Sequence, residues 1–353
     1  MSEDGVPQPL LVRDWPAAAA TGVGSMPGTD PVAAARLVRD RLARDGAVPH
    51  LVELPARGPG ADLLGRAMGL LAQVWPVWAV QTTPTGWRLS DAPGHETRRA
   101  GALLDQDLDV LEEQYDGWAG PLVLPIAGPW TLVAGIELAG GQRLISDAAA
   151  VRDLLECWGE AAARLAGQVR RRLPAAAVVV QADEPSLPAV LAGALPTASG
   201  LAHHRAVEPT VVRDGVAATV ARLDADRLEL LVHCCAAGVP VALLRDGGAA
   251  GVGVDLARLD AAGLDAVGEC VESGVRIGLG VVASTGAPSA VGTSVVRVEA
   301  LAARLGFGVD ALAAAVTISP TCGLAGASAE AAGRALDLAY ATGRVLRGEQ
   351  ERA

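Results

Sequence analysis

The sequence of 353 residues contains neither lysine nor asparagine, and all 29 of its basic residues are arginine. Without lysine there can be no Schiff-base lysine, no pyridoxal phosphate lysine and no P-loop lysine. The net charge of −11 argues against nucleic acid or an anionic membrane as a partner. We therefore expect a small-molecule substrate.

Long apolar runs are also absent. The most apolar stretch, residues 228–244, is interrupted by Glu229, His233 and Pro240, so it falls short of the roughly 18 apolar residues that a membrane helix needs. The N-terminus has no basic segment followed by an apolar one, so no secretory signal is expected. Five cysteines at irregular spacing do not form a disulfide framework. These features favour a cytoplasmic protein with free thiols.

Short apolar strands alternate with helices along the chain, which predicts an α/β fold with a parallel sheet buried on both faces. Nine segments resemble strands. Eight of them would close a (β/α)8 TIM barrel, and a hairpin at residues 76–89 would be the extra one. We predict an extended lead-in over residues 1–16 and a single barrel domain over residues 17–353. A doubly wound open sheet is the competing architecture.

The barrel is favoured because polar residues gather at the C-terminal ends of the predicted strands. In a closed barrel these ends converge on one mouth, where such enzymes place their chemistry. In an open sheet, only the ends beside the switch point would meet. The strand-end residues are Ser25, Glu53, Asp183, His233, Cys235, Asp255 and Cys322.

The strand around Leu230 ends in a His-x-Cys pair. His233 and Cys235 are two residues apart and point to the same side of a strand, whereas Cys234 points to the other. Asp255 and Cys322 lie at two further strand ends, and all four are residue types that bind zinc. The pattern indicates a zinc site, with a coincidental pair of core residues as the alternative.

A zinc ion bound by two thiolates suits a soft ligand, such as a substrate thiol that is held as thiolate near neutral pH. Because the thiolate is the nucleophile, such a site indicates alkyl transfer onto sulfur rather than hydrolysis.

Two carboxylates are candidates for binding a substrate ammonium group. Asp183, in Asp183-Glu184-Pro185, is either a helix cap or such an anchor, and Glu53 is either a surface acid or a second anchor. The turn at residues 22–25 contains small residues and can offer backbone N–H groups to a carboxylate.

Four segments together resemble the C-terminal catalytic half of cobalamin-independent methionine synthase. They are Gly24-Ser25-Met26-Pro27, Gln181-Ala182-Asp183-Glu184-Pro185-Ser186-Leu187, His233-Cys234-Cys235 and Pro320-Thr321-Cys322-Gly323-Leu324. The resemblance implies a (β/α)8 barrel that transfers a methyl group to L-homocysteine and forms L-methionine.

The resemblance also implies roles for individual residues. Zinc would be bound by His233, Cys235, Cys322 and Asp255, although the family's acidic ligand is usually Glu. The backbone of Val23, Gly24 and Ser25 would bind homocysteine. Glu53 and Asp183 would be the catalytic carboxylates that hold its ammonium group.

The chain departs from the family pattern in three places. Full-length family enzymes have an additional N-terminal half, for which this sequence has no counterpart. The loop after the strand at residues 276–282 reads Ala283-Ser284-Thr285-Gly286, where the family has an Asp and a His for proton transfer. The family's folate-binding features are not recognisable near residues 81–87. The methyl donor is therefore left open between methyltetrahydrofolate and a methyl-corrinoid, which can be protein-bound.

Two alternatives remain at this point. One is a zinc-dependent alkyltransferase of the same superfamily that acts on another thiol, such as a coenzyme M-like acceptor. The other is a non-catalytic or decarboxylase-like barrel with incidental cysteines.

Overall fold

The computed structural model describes residues 11–286 and 290–349, and its centre is a sheet of eight parallel strands. Branched and small apolar residues predominate in these strands, as expected for a sheet buried on both faces. In chain order they are β1 (Ala19–Thr21), β2 (Ala47–Val48), β5 (Pro121–Ala127), β7 (Ala177–Asp183), β8 (Leu230–Cys234), β9 (Gly251–Asp255), β10 (Arg276–Val282) and β11 (Val316–Pro320).

The sheet closes on itself between β2 and β5. The strand order is β2-β1-β11-β10-β9-β8-β7-β5. The two edges meet where Leu51 N donates to Val123 O over 2.9 Å and Val123 N donates to Pro49 O over 3.0 Å. The fold is therefore a (β/α)8 barrel, which confirms the predicted class.

Helices cover the outside of the barrel. Several begin at a side-chain cap, such as Asp30 before Pro31 and Ser328 before the last helix. The helices are α1 (Pro31–Leu42), α2 (Leu63–Val74), α3 (His95–Gln114), α4 (Pro129–Gly135), α5 (Ala148–Arg172), α6 (Leu187–Leu191), α7 (Pro209–Asp224), α8 (Val241–Asp246), α9 (Ala261–Ser273), α10 (Val291–Leu305), α11 (Val309–Ala315) and α12 (Ala329–Leu346). Within the described ranges, no helix is long and apolar enough to cross a membrane.

The predicted hairpin is present as a small separate sheet. Strands β3 (Val80–Thr83) and β4 (Gly86–Leu89) are antiparallel, and β6 (Ile136–Glu137) pairs with β4. This sheet is tied to the start of α2, because Trp87 Nε1 donates to Asp62 Oδ1 over 2.9 Å.

Several elements of the structure differ from those that the sequence predicts. Residues 1–10 of the predicted extended lead-in lie outside the described residues, and Val12–Asp14 forms a 3-10 turn rather than extended chain. Helices α2 and α11 were not anticipated. The apolar residues of Pro49-His50-Leu51-Val52-Glu53-Leu54-Pro55 predict a strand. In the structure β2 spans only Ala47–Val48, and isolated bridges continue it, because prolines cannot donate to the ladder.

Arg276, at the start of β10, binds the N-terminal turn at residues 12–15. This contact lies at the N-terminal end of the barrel strands, opposite the mouth. Its buried guanidinium donates to the carbonyls of Val12 over 2.8 Å, Trp15 over 2.8 Å and Val316 over 2.9 Å. Trp15 is 4% exposed and packs with apolar residues from β1, β2, β5 and β7. Arg276 therefore connects residues 12–15 to both β10 and β11.

We expect Arg276→Met to lower the free energy of unfolding by about 3–5 kcal/mol, because several buried carbonyl groups lose their donor at once. Urea denaturation measures this change. Arg213→Met is the matched control, since Arg213 is 47% exposed and pairs with its sequence neighbour Asp214. A loss no larger than that of the control would show that Arg276 does not hold the N-terminal turn.

Candidate active site

A cavity of about 320 Å³ opens at the C-terminal ends of the barrel strands. It receives residues from the ends of β1, β2, β7, β8 and β11, so chain segments far apart in sequence meet there, as the barrel predicts. The lining residues are Val23, Ser25, Glu53, Pro55, Ala61, Leu63, Asp183, Pro185, His233, Cys235, Cys322, Gly323 and Ala325.

Strand β8 alternates between buried and partly exposed residues from Leu230 to Cys234. His233 and Cys235 both reach the cavity. Cys234 is fully buried in the core, where burial raises its pKa to about 12. The pleat therefore separates the two cavity residues from the packing residue, as strand geometry predicts.

Two thiols meet at one wall of the cavity. The Cys235 thiol donates to the sulfur of Cys322 over 3.1 Å. This hydrogen bond lowers the pKa of Cys322 to about 6 and raises that of Cys235, which burial raises further. One of the two sulfurs is therefore readily available as a thiolate, the form that binds metals and attacks electrophiles.

Asp183 orients the imidazole of His233. Its Oδ1 lies 3.1 Å from Nδ1 of His233 and also accepts from Gln181 Nε2 over 2.9 Å. Gln181 Nε2 donates in addition to Val23 O over 2.7 Å. With Nδ1 held by a carboxylate, Nε2 is the nitrogen left for a ligand, as is usual for metal-binding histidines.

Glu53 is the second carboxylate in the cavity, and it is 6% exposed. Burial raises its pKa to about 8, assisted by Asp183 and Asp107 and opposed by Arg66. Its backbone holds the turn after β1, since Glu53 N donates to Gly24 O and Met26 N donates to Glu53 O.

Two glycines, one in the turn after β1 and one in the loop after β11, leave room around Ser25. Gly24 has a φ of +144°, and a side chain there would meet Pro125. A Cβ at Gly323 would collide with Ser25 Oγ. The loops after β1 and β11 therefore approach each other closely, and this places Ser25 beside the Cys322 loop.

The neighbouring carboxylates Asp183 and Glu184 have different surroundings. Glu184 accepts hydrogen bonds from the backbone N–H groups of Trp130 (2.9 Å) and Thr131 (2.7 Å), so it caps α4. Burial raises the pKa of Glu184 to about 7. Asp183 instead lines the cavity.

Asp255 is not brought together with the other predicted ligands. Its carboxylate accepts from Ala257 N over 3.0 Å and pairs with Arg258 Nε over 3.3 Å. It does not contribute to the cavity wall. It would have to leave these partners to reach a metal at Cys235 and Cys322.

The donor set can be compared with the needs of zinc. Within residues 11–286 and 290–349, no three His, Cys, Asp or Glu side chains are placed so that they could hold a metal ion. In a tetrahedral zinc site two thiolates lie about 3.8 Å apart, slightly farther than the 3.1 Å between Cys235 and Cys322. Two thiols and an imidazole oriented by a carboxylate fit zinc chemically, and their side chains would have to move to converge on the ion.

Some cavity features were not predicted from the sequence. Gln181 precedes Asp183 by two residues, but the sequence did not reveal that its amide donates to both Val23 and Asp183. The contact with Val23 joins residues 158 positions apart. Arg66, which pairs with Glu53 across 3.3 Å, was missed entirely. The available signal was a single charge inside the otherwise apolar run of α2.

Fold and cavity together define a (β/α)8 barrel enzyme with a thiol-rich site at its mouth. Residues 126–344 match the family model described as the catalytic domain of cobalamin-independent synthase. The match covers more than half the chain, so the chain belongs to this family.

A solved structure supports the fold. A B12-independent methionine synthase from Shewanella sp. W3-18-1, solved in complex with selenomethionine, is 12% identical, has a TM-score of 0.59, and is matched over 94% of this chain and 98% of its own. A structure of oxaloacetate acetylhydrolase is 13% identical over 88% of this chain and 77% of its own, but its TM-score of 0.37 is too low to support an argument. No curated protein sequence matches the chain.

Proposed function

We propose that this protein is a zinc-dependent methyltransferase that converts L-homocysteine to L-methionine. The observation that carries the proposal is the composition of one cavity: two thiols and an oriented imidazole face two buried carboxylates. The first group suits a soft metal and a thiol, and the second suits an ammonium group. Membership of the synthase family supports the same reaction.

In this proposal His233, Cys235 and Cys322 would hold zinc, and the substrate thiol would be a further ligand, as substrates are in catalytic zinc sites. When bound, the ion lowers the pKa of a substrate thiol so that the thiolate predominates near neutral pH. Asp183 holds Nδ1 of His233, so that Nε2 would point toward the metal. Asp255 would join only after releasing Ala257 and Arg258.

The remaining residues orient the amino acid. Glu53 and Asp183 bind the ammonium group, and the backbone of Val23, Gly24 and Ser25 binds the carboxylate. The homocysteine sulfur then attacks the donor methyl: a sulfur–carbon bond forms, and the donor leaves with the electrons of the bond that breaks. The apolar wall of Pro55, Leu63 and Pro185 excludes water beside the reacting sulfur.

A methyl-transfer assay tests the function. Purified protein with one equivalent of zinc is given L-homocysteine and either methyltetrahydrofolate or methylcobalamin, and methionine is quantified. Methionine formation with either donor supports the proposal and identifies the donor class. A coenzyme M-like thiol serves as the competing acceptor, and the carboxylates Glu53 and Asp183 should repel its sulfonate. Preferred alkylation of that thiol would favour the alternative function.

Binding of the amino acid's ammonium group beside Glu53 should depend on pH. Glu53 has a pKa of about 8 when the site is free, whereas a bound ammonium favours its ionised form, so binding releases a proton. The affinity for L-methionine, which has no titrating thiol, should rise up to about tenfold per pH unit from pH 6 to 8 and then level off. Calorimetry across this range measures it. Glu53→Gln should flatten the profile, and an equally steep profile in that variant would contradict the assignment.

We also propose a second substrate and a cytoplasmic location for the reaction. A methyl donor, free or carried by another protein, is the second substrate, and no nucleic acid or membrane takes part. All five cysteines are free thiols, which suits the reducing cytoplasm that the proposed site needs.

A further inference from the structure

A buried charge network lies behind Glu53, on the side away from the cavity. Arg66 from α2 contacts Glu53 Oε1 through Nε over 3.3 Å and Asp107 Oδ2 through Nη1 over 2.8 Å. Arg57, from the 3-10 turn after β2, donates to both oxygens of Asp107 over 2.7 and 2.8 Å. These four side chains are each at most 7% exposed.

The geometry of the network fixes the guanidinium of Arg66. Asp107 is completely buried and is held from two sides by arginines, so it anchors one edge of Arg66. The other edge faces Glu53. Nη2 of Arg66 is buried and has no hydrogen-bond partner among residues 11–286 and 290–349. This unpaired donor costs free energy that a shorter apolar side chain would avoid.

Charge balance explains why such a network would be kept. Arg57 and Arg66 offset the charge of Asp107, and Arg66 also attracts the carboxylate of Glu53, whose ionisation burial opposes. A substrate ammonium beside Glu53 and Asp183 would draw Glu53 into its ionised form. Without Arg66, Asp107 and Asp183 would repel a negative charge on Glu53, and ionising Glu53 for the substrate would cost more.

We propose that Arg66 is a positioning residue for amino-acid recognition, placing the Glu53 carboxylate opposite the substrate ammonium group and favouring its ionised form when the substrate binds. This inference rests on the proposed function. It extends the site into residues 53–107, which lie outside the family match at residues 126–344.

Two ligands distinguish this role from a general structural one. L-Homocysteine carries the ammonium group, and 4-mercaptobutyrate is the same molecule without it. With zinc-loaded protein, Arg66→Met should weaken homocysteine binding by about 10- to 100-fold, as expected for loss of a charge-assisted contact, and change 4-mercaptobutyrate binding by less than about threefold. Arg66→Lys should restore most of the affinity. Arg88→Met is the control, because Arg88 pairs with Glu137 in the small sheet.

A second readout needs no substrate. The carboxyl carbon of Glu53 is followed by ¹³C NMR in ligand-free protein and assigned by its absence in Glu53→Gln. The groups that face Glu53 are Arg66, Asp107 and Asp183. Removal of Arg66 should move the Glu53 titration upward by about one pH unit or more. If Arg66→Met does not fold, Arg66→Gln removes the charge while keeping a hydrogen-bond donor.

The outcomes separate the two proposals. If the Glu53 titration shifts but wild-type protein binds no homocysteine, the methyltransferase assignment is wrong, the role of Arg66 in homocysteine recognition falls with it, and only its effect on Glu53 ionisation stands. If homocysteine binds and the titration does not shift, or if both ligands weaken equally, the role of Arg66 is overturned.

Discussion

Replacing Cys322 by serine is expected to reduce methyl transfer by roughly a thousandfold, because the metal loses a thiolate ligand and the substrate thiol loses its activation. Cys322 lies on an exposed loop after β11, so the fold should survive the change. Metal analysis after dialysis should give about one zinc per wild-type chain and far less in Cys322→Ser.

Cys157→Ser is the matched control for this experiment. Cys157 is also a free and partly exposed cysteine, but it lies on α5, away from the cavity. It should retain zinc and activity. Equal zinc content in Cys322→Ser and Cys157→Ser would show that Cys322 is not a ligand.

Asp183→Ala is expected to lower kcat/KM for homocysteine by roughly a thousandfold. The effect combines two losses, each worth about 10- to 100-fold: the orientation of His233 and the charge opposite the substrate ammonium. Steady-state kinetics with the best donor measures the ratio.

Asp183→Asn separates these two losses. The amide oxygen can still accept from Nδ1 of His233, so zinc affinity should remain near that of the wild type while KM rises. If Asp183→Asn and Asp183→Ala lose zinc equally, the contact between Asp183 and His233 does more than orient the ring. If neither variant changes KM, Asp183 does not bind the ammonium group.

The barrel and the position of its site could be predicted because they depend on local patterns. A strand's period of two places His233 and Cys235 on one side, and parallel strands bring their C-terminal ends to one mouth. Caps such as Asp30 and Ser328 mark helix starts within a few residues. Such features are readable from neighbouring residues alone.

Contacts between distant segments could not be read in this way. Arg66 meets Asp107 across 41 residues, and Glu184 caps a helix 54 residues before it. Both contacts depend on how the helices pack against the barrel, and this packing cannot be predicted from the spacing of residues in the sequence. Asp255 lies at a strand end, as predicted, and its contacts with Ala257 and Arg258 could not be read from that position.

The central claim is that the thiol-rich wall and the buried carboxylates of one cavity bind homocysteine with the help of zinc. Calorimetric titration of L-homocysteine into zinc-loaded protein tests it without requiring a methyl donor. We predict binding of about one homocysteine per chain, lost when zinc is removed by a chelator and regained when zinc is added back. Equal affinity with and without zinc, or no binding at all, would contradict the account.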